Sequence, residues 1–221
     1  NKLDILKNEN LLPAFLKTCT MGYDGKGQII INNKDEVDKL NVDFKEEYIL
    51  EKKINLKKEI SIIITRFLNK DCLIYEPIEN FHINQVLSKS IIPAVIDKNI
   101  FNQAQKQAKL LAEKLDYIGT MCVEYFIDEN NNLLLNEVAP RVHNSGHLTI
   151  NTYNVSQFEN HIRAVCNLEK KELNKNYNAE MINIIGEEIK VYRTKSYSKN
   201  EFFFDYLKTE IKKKRKMGHL T

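Results

Sequence analysis

The 221-residue chain carries 33 Lys and Arg against 30 Asp and Glu, a formal net charge of +3, and is 43% hydrophobic and 29% charged. That balance fits a soluble globular protein with a sizeable core and is too weakly basic to argue for nucleic acid. No apolar run approaches the roughly 20 residues that span a bilayer, and Cys19, Cys72, Cys122 and Cys166 are widely spaced with no CxxC pair, which suits reduced thiols in a cytoplasmic protein.

Asn1-Lys2-Leu3 opens the chain without a signal-peptide layout or an initiating Met, so the chain reads as a fragment. Pro13–Thr20 reads as a strand, Met21–Gln28 as a loop punctuated by Gly22, Gly25 and Gly27, and Ile29–Ile31 as a β-branched strand. Polar spacing over Asp35–Leu40, with a cap at Asn33 or Lys34, predicts a helix. Tyr48–Leu50, Glu59–Arg66 and Asp71–Tyr75 read as strands. The clearest helix is Phe101–Leu115, with Ala104, Ala108, Leu111 and Leu115 on one stripe. Met121–Ile127 and the apolar run that starts at Leu133 then form a hairpin about Asp128–Asn132. A second helix is predicted over Ser156–Asn167, with Phe158, Ile162 and Val165 inward. Glu169–Asn178 is a polar boundary, and Met181–Thr221 a small strand-rich tail. The sum is an α+β chain of antiparallel strands with helices on one side.

The hairpin holds the densest chemistry. With its turn centred on Asn130–Asn131, Glu124 faces Glu137, and directly opposed residues have Cβ atoms only about 4.5–5.5 Å apart. Two carboxylates so placed repel unless a cation lies between them. Hard oxygen ligands with phosphates completing the shell describe a Mg²⁺–nucleotide site. Asn136, Arg141, His143 and His147 crowd the same segment; two exposed glutamates on a polar hairpin are the plainer alternative. In the Gly22–Gln28 loop, glycine lets backbone N–H groups turn toward an anion. Lys26 lies within it and Lys17 just upstream, a fit to phosphate binding, although no Walker A spacing is present. Glu51 follows a strand where a backbone edge can hold adenine and ribose. Glu59 alone reads as a solvated charge, and His82 as a loop histidine.

Taken in order, these pieces resemble the 5-(carboxyamino)imidazole ribonucleotide synthase family of ATP-grasp enzymes. The resemblance is carried by Lys17 with Gly22-Tyr23-Asp24-Gly25-Lys26-Gly27-Gln28, by Glu51, Glu59 and Ser61, and by Glu79-Asn80-Phe81-His82. It continues through Gly119 and Glu124, the Asn136–His147 block, Ser156–Glu159 with His161, Met181–Asn183, and Arg215–His219. It implies an ATP-grasp fold, two α+β subdomains enclosing the nucleotide, with a lid subdomain at 1–50, a Mg–ATP subdomain at 51–168 and an incomplete C-terminal module at 169–221. It implies a ligase of purine (IMP) biosynthesis in which ATP phosphorylates bicarbonate to carboxyphosphate. The amine of 5-aminoimidazole ribonucleotide then takes the carboxyl group, releasing phosphate and leaving the N5-carbamate and ADP.

The residue roles follow from the same resemblance. Glu124 and Glu137, with Asn136, hold Mg²⁺, with Mn²⁺ as a substitute. Lys17 and the Gly22–Gln28 backbone meet the ATP phosphates. Glu51, Lys52, Lys53, Ile54 and Glu59 meet the nucleoside, with His82 near it. Arg141 stabilises the carboxyphosphate. Tyr23, Lys26, Arg141, His143, Asn144, Lys208 and Arg215 meet the ribonucleotide, the last two through its phosphate. A homodimer and hand-off to a mutase are implied as well. The family's N-terminal nucleotide-fold domain is missing, and Lys214 stands where the tail normally has Gly. The competing readings are a truncated nucleotide-binding remnant, another ATP-grasp carboxylase or ligase, and a surface patch at the basic run Lys212–Lys216.

Overall fold

Strand-forming apolar runs put much of the described chain into antiparallel sheet. The computed structural model describes residues 1–20 and 27–221. These divide into two units, Asn1–Asn55 and Leu56–Thr221.

In the first unit, helix α1 (Lys2–Lys7), not anticipated from the sequence, starts at a reciprocal cap between Asn1 and Asp4. Strands β1 (Ala14–Thr18), β2 (Gln28–Ile31) and β3 (Tyr48–Lys52) form an antiparallel sheet in the order β2-β1-β3. Ile5, Leu16, Ile31 and Val37 make its core. The helix expected over Asp35–Leu40 shrinks to a 3-10 turn, Lys34–Glu36, capped by Asn33. The Glu36 carboxylate takes the backbone N–H and side-chain amide of Asn32, closing a local turn that competes with a helix.

The second unit is built on one large sheet. Its strands are β4 (Leu56–Arg66), β5 (Cys72–Ile74), β6 (Ile78–Ile83), β7 (Val86–Ile92), β8 (Gly119–Asp128), β9 (Leu133–Ala139), β10 (Ala179–Ile185), β11 (Phe203–Asp205) and β12 (Lys216–Leu220). They run β11-β12-β10-β7-β6-β4-β8-β9, with β5 against β4. The tail over 179–221 continues the same sheet, through β10 pairing with β7.

Alternation gives this sheet two unlike faces. Ile60, Ile62 and Ile64 of β4 and Met121, Val123 and Tyr125 of β8 pack on helix α2 (Lys98–Lys114). That helix buries Ile100, Ala104, Ala108 and Ala112, whereas Leu115, expected on the inward stripe, is exposed at the helix end. Small residues every fourth position let the helix axis lie close to the strands.

The opposite face carries Ser61, Ile63 and Thr65 of β4 and Thr120, Cys122 and Glu124 of β8. Covering part of it are the 3-10 turn Asn144–Leu148 and helices α3 (Thr149–Thr152) and α4 (Gln157–Val165); α5 (Ile189–Tyr192) follows β10. Helices thus lie on both faces, not one. Helix α4 also reverses the expected orientation: it buries Gln157, Asn160 and Ala164 and exposes Phe158, Ile162 and Val165. The reason is hydrogen bonding. Asn160 Nδ2 donates to the buried Tyr75 hydroxyl at 2.7 Å, Thr120 Oγ1 donates to the Gln157 carbonyl at 3.2 Å, and the Gln157 side chain serves the backbone of His143.

Candidate active site

The site begins at the β8–β9 hairpin. Asp128 organises the turn by accepting the N–H groups of Asn130 and Asn132 through Oδ1, at 2.9 and 2.8 Å, and Asn131 takes φ 62°. The pairs Ile127↔Leu133 and Tyr125↔Leu135 centre this turn on Asn130, one half-step from the expected centre. Extended unbroken, that register would put Asn136 opposite Glu124. A bulge intervenes, and beyond it Glu124 pairs with Glu137. The carboxylates do face each other, but the bulge at Asn136, not the turn, brings them there.

Glu124 has the most perturbed carboxyl of the site. Burial, then the charge of Glu137, pushes it up to about 7. His82 and Lys216 act in the opposite sense. His143 Nε2 lies 3.2 Å from Glu124 Oε1. His82 is not in a loop: it sits on β6, its Nδ1 2.7 Å from Glu59 Oε2. Burial alone would lower its pKa, but the hydrogen bond to Glu59 and the charges of Glu59 and Glu124 outweigh burial and hold it above the usual value. Glu59, His82, Glu124, Glu137 and His143 thus form one electrostatic cluster on one face of the sheet.

Next to it stands the Asn136–His147 segment. Arg141 is exposed, donating to the Val142 carbonyl at 3.0 Å, and its charge adds to burial in pushing His143 down to about 4. Asn144 forms an amide pair with Asn183, Nδ2 to Oδ1 at 3.0 Å, and reaches the Tyr206 hydroxyl at 3.4 Å. Gln157 fastens the segment from below. Its Oε1 accepts the His143 N–H at 3.0 Å, and its Nε2 donates to the His143 carbonyl at 2.7 Å. Gly146 leaves room for this, since a Cβ there would fall 2.5 Å from Gln157 Oε1.

From the tail, Lys208 Nζ donates to the Lys216 carbonyl at 2.6 Å, and its pKa is lowered by burial and by the charges of Arg215 and Lys216. Lys208, Arg215 and Lys216 therefore form a cationic group, while Lys212, Lys213 and Lys214 are exposed. Lys216 is the residue that sequence reasoning missed. Its charge acts on His82, Glu124, His143 and His147. Alternation along the strand would have misplaced it: a bulge in β12 sets Lys216 opposite Ile185, on the face of Asn183 and His219 and not on that of Gly218 and Leu220.

In the first unit, Lys17 on β1 is ion-paired with Glu51 on β3. Lys52 ends β3, Lys53 donates its N–H to the Pro13 carbonyl at 2.8 Å, and Ile54 follows. Gly27 takes φ 78°, its carbonyl accepting the Thr18 N–H, and Gln28 begins β2. The expected contacts from Gly22, Tyr23, Asp24, Gly25 and Lys26 lie outside the described residues.

The donor set can be tested against a metal ion. Cys122, Glu124 and His143 bring ligand atoms within 4.8 Å of one another. Cys122 is fully buried, and burial drives its thiol well above the usual value, so it stays a neutral thiol and a poor ligand. His143 is engaged at both ring nitrogens, by Ser145 at Nδ1 and by Glu124 at Nε2, so what is left to ligate is carboxylate oxygen, from Glu124 and from Glu137 opposite, and their mutual repulsion is the deficit a hard cation would fill. The residues fit Mg²⁺ better than a thiophilic metal.

Comparison with known proteins settles the family. The ATP-grasp domain matches residues 1–158. The chain belongs to the ATP-grasp family. The C-terminal domain of phosphoribosylaminoimidazole carboxylase matches residues 179–221. The chain is 41% identical over 223 residues to the N5-carboxyaminoimidazole ribonucleotide synthase of Bacillus subtilis (strain 168), covering 100% of this chain and 59% of that protein. Among solved structures of ATP-grasp relatives, the N5-carboxyaminoimidazole synthetase of Staphylococcus aureus superposes with TM-score 0.90 at 36% identity, over 100% of this chain and 59% of its own. The Aspergillus clavatus synthase, solved with ADP and 5-aminoimidazole ribonucleotide, gives 0.88 at 26%, over 100% and 60%. The chain spans about three fifths of the length of these relatives. Among the described residues no helix is long and apolar enough to cross a membrane.

Proposed function

We propose that this chain is the nucleotide-handling part of a ligase that carboxylates 5-aminoimidazole ribonucleotide at the expense of ATP, a reading supported by relatives named N5-carboxyaminoimidazole ribonucleotide synthase and by one solved with ADP and 5-aminoimidazole ribonucleotide. The observation that carries the reading is the Glu124–Glu137 pair, set face to face by the Asn136 bulge and flanked by Arg141, His143 and Lys216.

Phosphoryl transfer needs alignment and charge neutralisation more than covalent help. Glu124 and Glu137, with Asn136 beside them, would hold Mg²⁺, which when bound neutralises charge on the nucleotide phosphates. Lys17 and the Gly22–Gln28 loop, in the segment we assign as lid, would meet those phosphates. Glu51, the residues Lys52–Ile54 and Glu59 would meet the nucleoside, with His82 fixed by Glu59. Bicarbonate attacks the γ-phosphorus and ADP leaves, giving carboxyphosphate, whose anion Arg141 is placed to stabilise. The ribonucleotide amine then attacks the carboxyl carbon, phosphate leaves, and the amine proton is lost to solvent or phosphate. Lys208, Arg215 and Lys216 would bind the ribonucleotide phosphate, with Tyr23, Lys26, His143 and Asn144 on the rest of it. A cytoplasmic setting, a homodimer and a mutase that consumes the unstable carbamate belong to the same proposal.

The test is ADP release from Mg²⁺–ATP and bicarbonate, with and without 5-aminoimidazole ribonucleotide, by the whole protein that contains this chain. Ribonucleotide-stimulated release that Glu137→Gln abolishes is expected. Stimulated release that survives the substitution would remove Glu137 from the cation site, and no stimulation would overturn the substrate assignment.

A further inference from the structure

Beneath Glu124 runs a line of buried polar side chains that the proposed chemistry does not use. Ser90 Oγ donates to Asn80 Oδ1 at 2.8 Å, and Asn80 Nδ2 donates to Ser61 Oγ at 3.0 Å. Ser61 Oγ lies 2.8 Å from Ser145 Oγ, which lies 2.9 Å from His143 Nδ1. His143 Nε2 ends the line at Glu124 Oε1, 3.2 Å away. Ser61, Ser90 and Ser145 are fully buried and Asn80 is 6% exposed. Groups so deeply buried must satisfy one another, because water cannot.

The direction of the line can be read from its His143 end. The backbone N–H of Ser145 points at His143 Nδ1 at 3.3 Å. A backbone N–H can only donate, so Nδ1 is an acceptor and carries no proton. The neutral ring then holds its proton on Nε2, which faces Glu124 Oε1. With Nδ1 bare, the Ser145 hydroxyl must donate to it. Ser145 has one hydroxyl proton and has now used it, so Ser61 must donate to Ser145. Ser61 in turn needs a donor, and Asn80 Nδ2 supplies it. Every link points the same way, from Ser90 to Glu124.

We propose that Ser145, Ser61 and Asn80 are positioning residues whose one-way hydrogen-bond line fixes His143 in its Nε2–H form, so that the ring is a standing donor to the Glu124 carboxylate. Two consequences follow. Glu124 Oε1 is held by His143, which leaves Oε2 as the oxygen free to turn toward a cation. And His143 meets its surroundings as a donor, not as a base. The tautomer itself stands on the hydrogen bonds alone; its use in orienting Glu124 rests on the cation-site reading above.

The test is the ring-nitrogen spectrum of the ¹⁵N-histidine-labelled chain without nucleotide, with the His143 signals assigned by their loss in His143→Gln. Nitrogen shifts separate a bare from a protonated nitrogen. The unsubstituted chain is expected to show bare Nδ1 and protonated Nε2; an Nδ1–H ring, or a mixture, would overturn the proposal without any further variant. Glu124→Leu removes the acceptor at the far end. If the serine line sets the tautomer, the ring stays Nε2–H, and a switch to Nδ1–H would show that Glu124 alone had set it. Adding Ser145→Ala to Glu124→Leu should then release the ring to a mixture; an unchanged pattern would take the role from Ser145. In the whole enzyme, Ser145→Ala alone should lower kcat by about 10-fold or more, in the range known for outer partners of metal ligands, with KM for ATP within about twofold. An enzyme active only on another substrate, with the tautomer as expected, would sink the functional reading and leave the line intact. An unchanged kcat on the proposed substrate would sink the orienting role.

Discussion

The helices α2 and α4 lie on opposite faces of one sheet and obey opposite rules. Helix α2 buries Ala104, Ala108 and Ala112 against Ile60, Ile62 and Ile64, a dry contact in which shape and area dominate. Helix α4 buries Gln157 and Asn160 and leaves Phe158, Ile162 and Val165 in the open. The difference is what each face must satisfy. Beneath α2 there is apolar surface to remove from water. Beneath α4 lie the His143 backbone, the Tyr75 hydroxyl and Thr120, and leaving such groups buried without partners costs about 1–3 kcal/mol each. Phe158, Ile162 and Val165 are already about half covered, so leaving them outward forgoes only part of the roughly 1.5–3 kcal/mol that full burial of each would bring, and the polar side of the helix turns inward. One face builds stability and the other holds a site in place.

The largest test of this contrast is on the dry face. Ile62→Ala should lower unfolding stability by about 2–5 kcal/mol through lost burial and a residual cavity. Activity per folded molecule should be retained, because Ile62 points away from Glu124; urea midpoints set beside specific activity of the whole enzyme check it. A loss of activity larger than the loss of folded protein would mean that the two faces are not independent.

On the site face the sign reverses. The Glu124 carboxyl titrates at about 7 in the folded chain and at roughly 4.3 when unfolded. Between those values the folded state binds more proton than the unfolded state, so this group's contribution is fully present below the unfolded value. It is lost as pH rises through 7. By linkage the effect reaches about 4 kcal/mol at most. Glu124→Gln should therefore flatten the fall in urea midpoint between pH 5 and pH 8 and raise the midpoint at pH 8, while abolishing activity. A substitution that stabilises the fold while it removes function marks a carboxylate held in place for chemistry. An undiminished pH slope in Glu124→Gln would place the perturbed group elsewhere.

The smallest effect belongs to the outward side of α4. Ile162→Ser should change stability by no more than about 0.5 kcal/mol, the range of ordinary surface substitutions. The thermal midpoint of the variant reads this directly. A cost of about 2 kcal/mol would show that the outward face of α4 is covered in the protein as it exists in solution.

These helices also show how far sequence carries. Periodicity located both, and it assigned the α2 face nearly correctly, missing only that Ala112 and Ile100, not Leu115, complete the stripe. It inverted α4, because a hydrophobic pattern registers apolar side chains and is blind to the donors and acceptors waiting beneath a helix. Strand β6 was invisible for a related reason. Glu79-Asn80-Phe81-His82 looks like a polar loop, yet its alternate residues, Asn80 and His82, serve a polar row on the sheet. Lys216 was passed over because it sat within a basic run, and only the turn into β12 separates it from the exposed lysines before it.

The sequence by itself determined the family, through the order and spacing of the Asn136–His147 block and its neighbours. It also determined that Glu124 and Glu137 share a hairpin, since strand alternation and a polar turn are local properties of the chain. Only the tertiary structure decided how those carboxylates come to face each other, which needs the Asn136 bulge, and which side of α4 is buried. Only it brought Ser61, Asn80, Ser90 and Ser145, from four separate segments, into one line ending at His143. Hydrogen-bond direction belongs to groups that meet in space, and nothing in the order of residues along the chain records it.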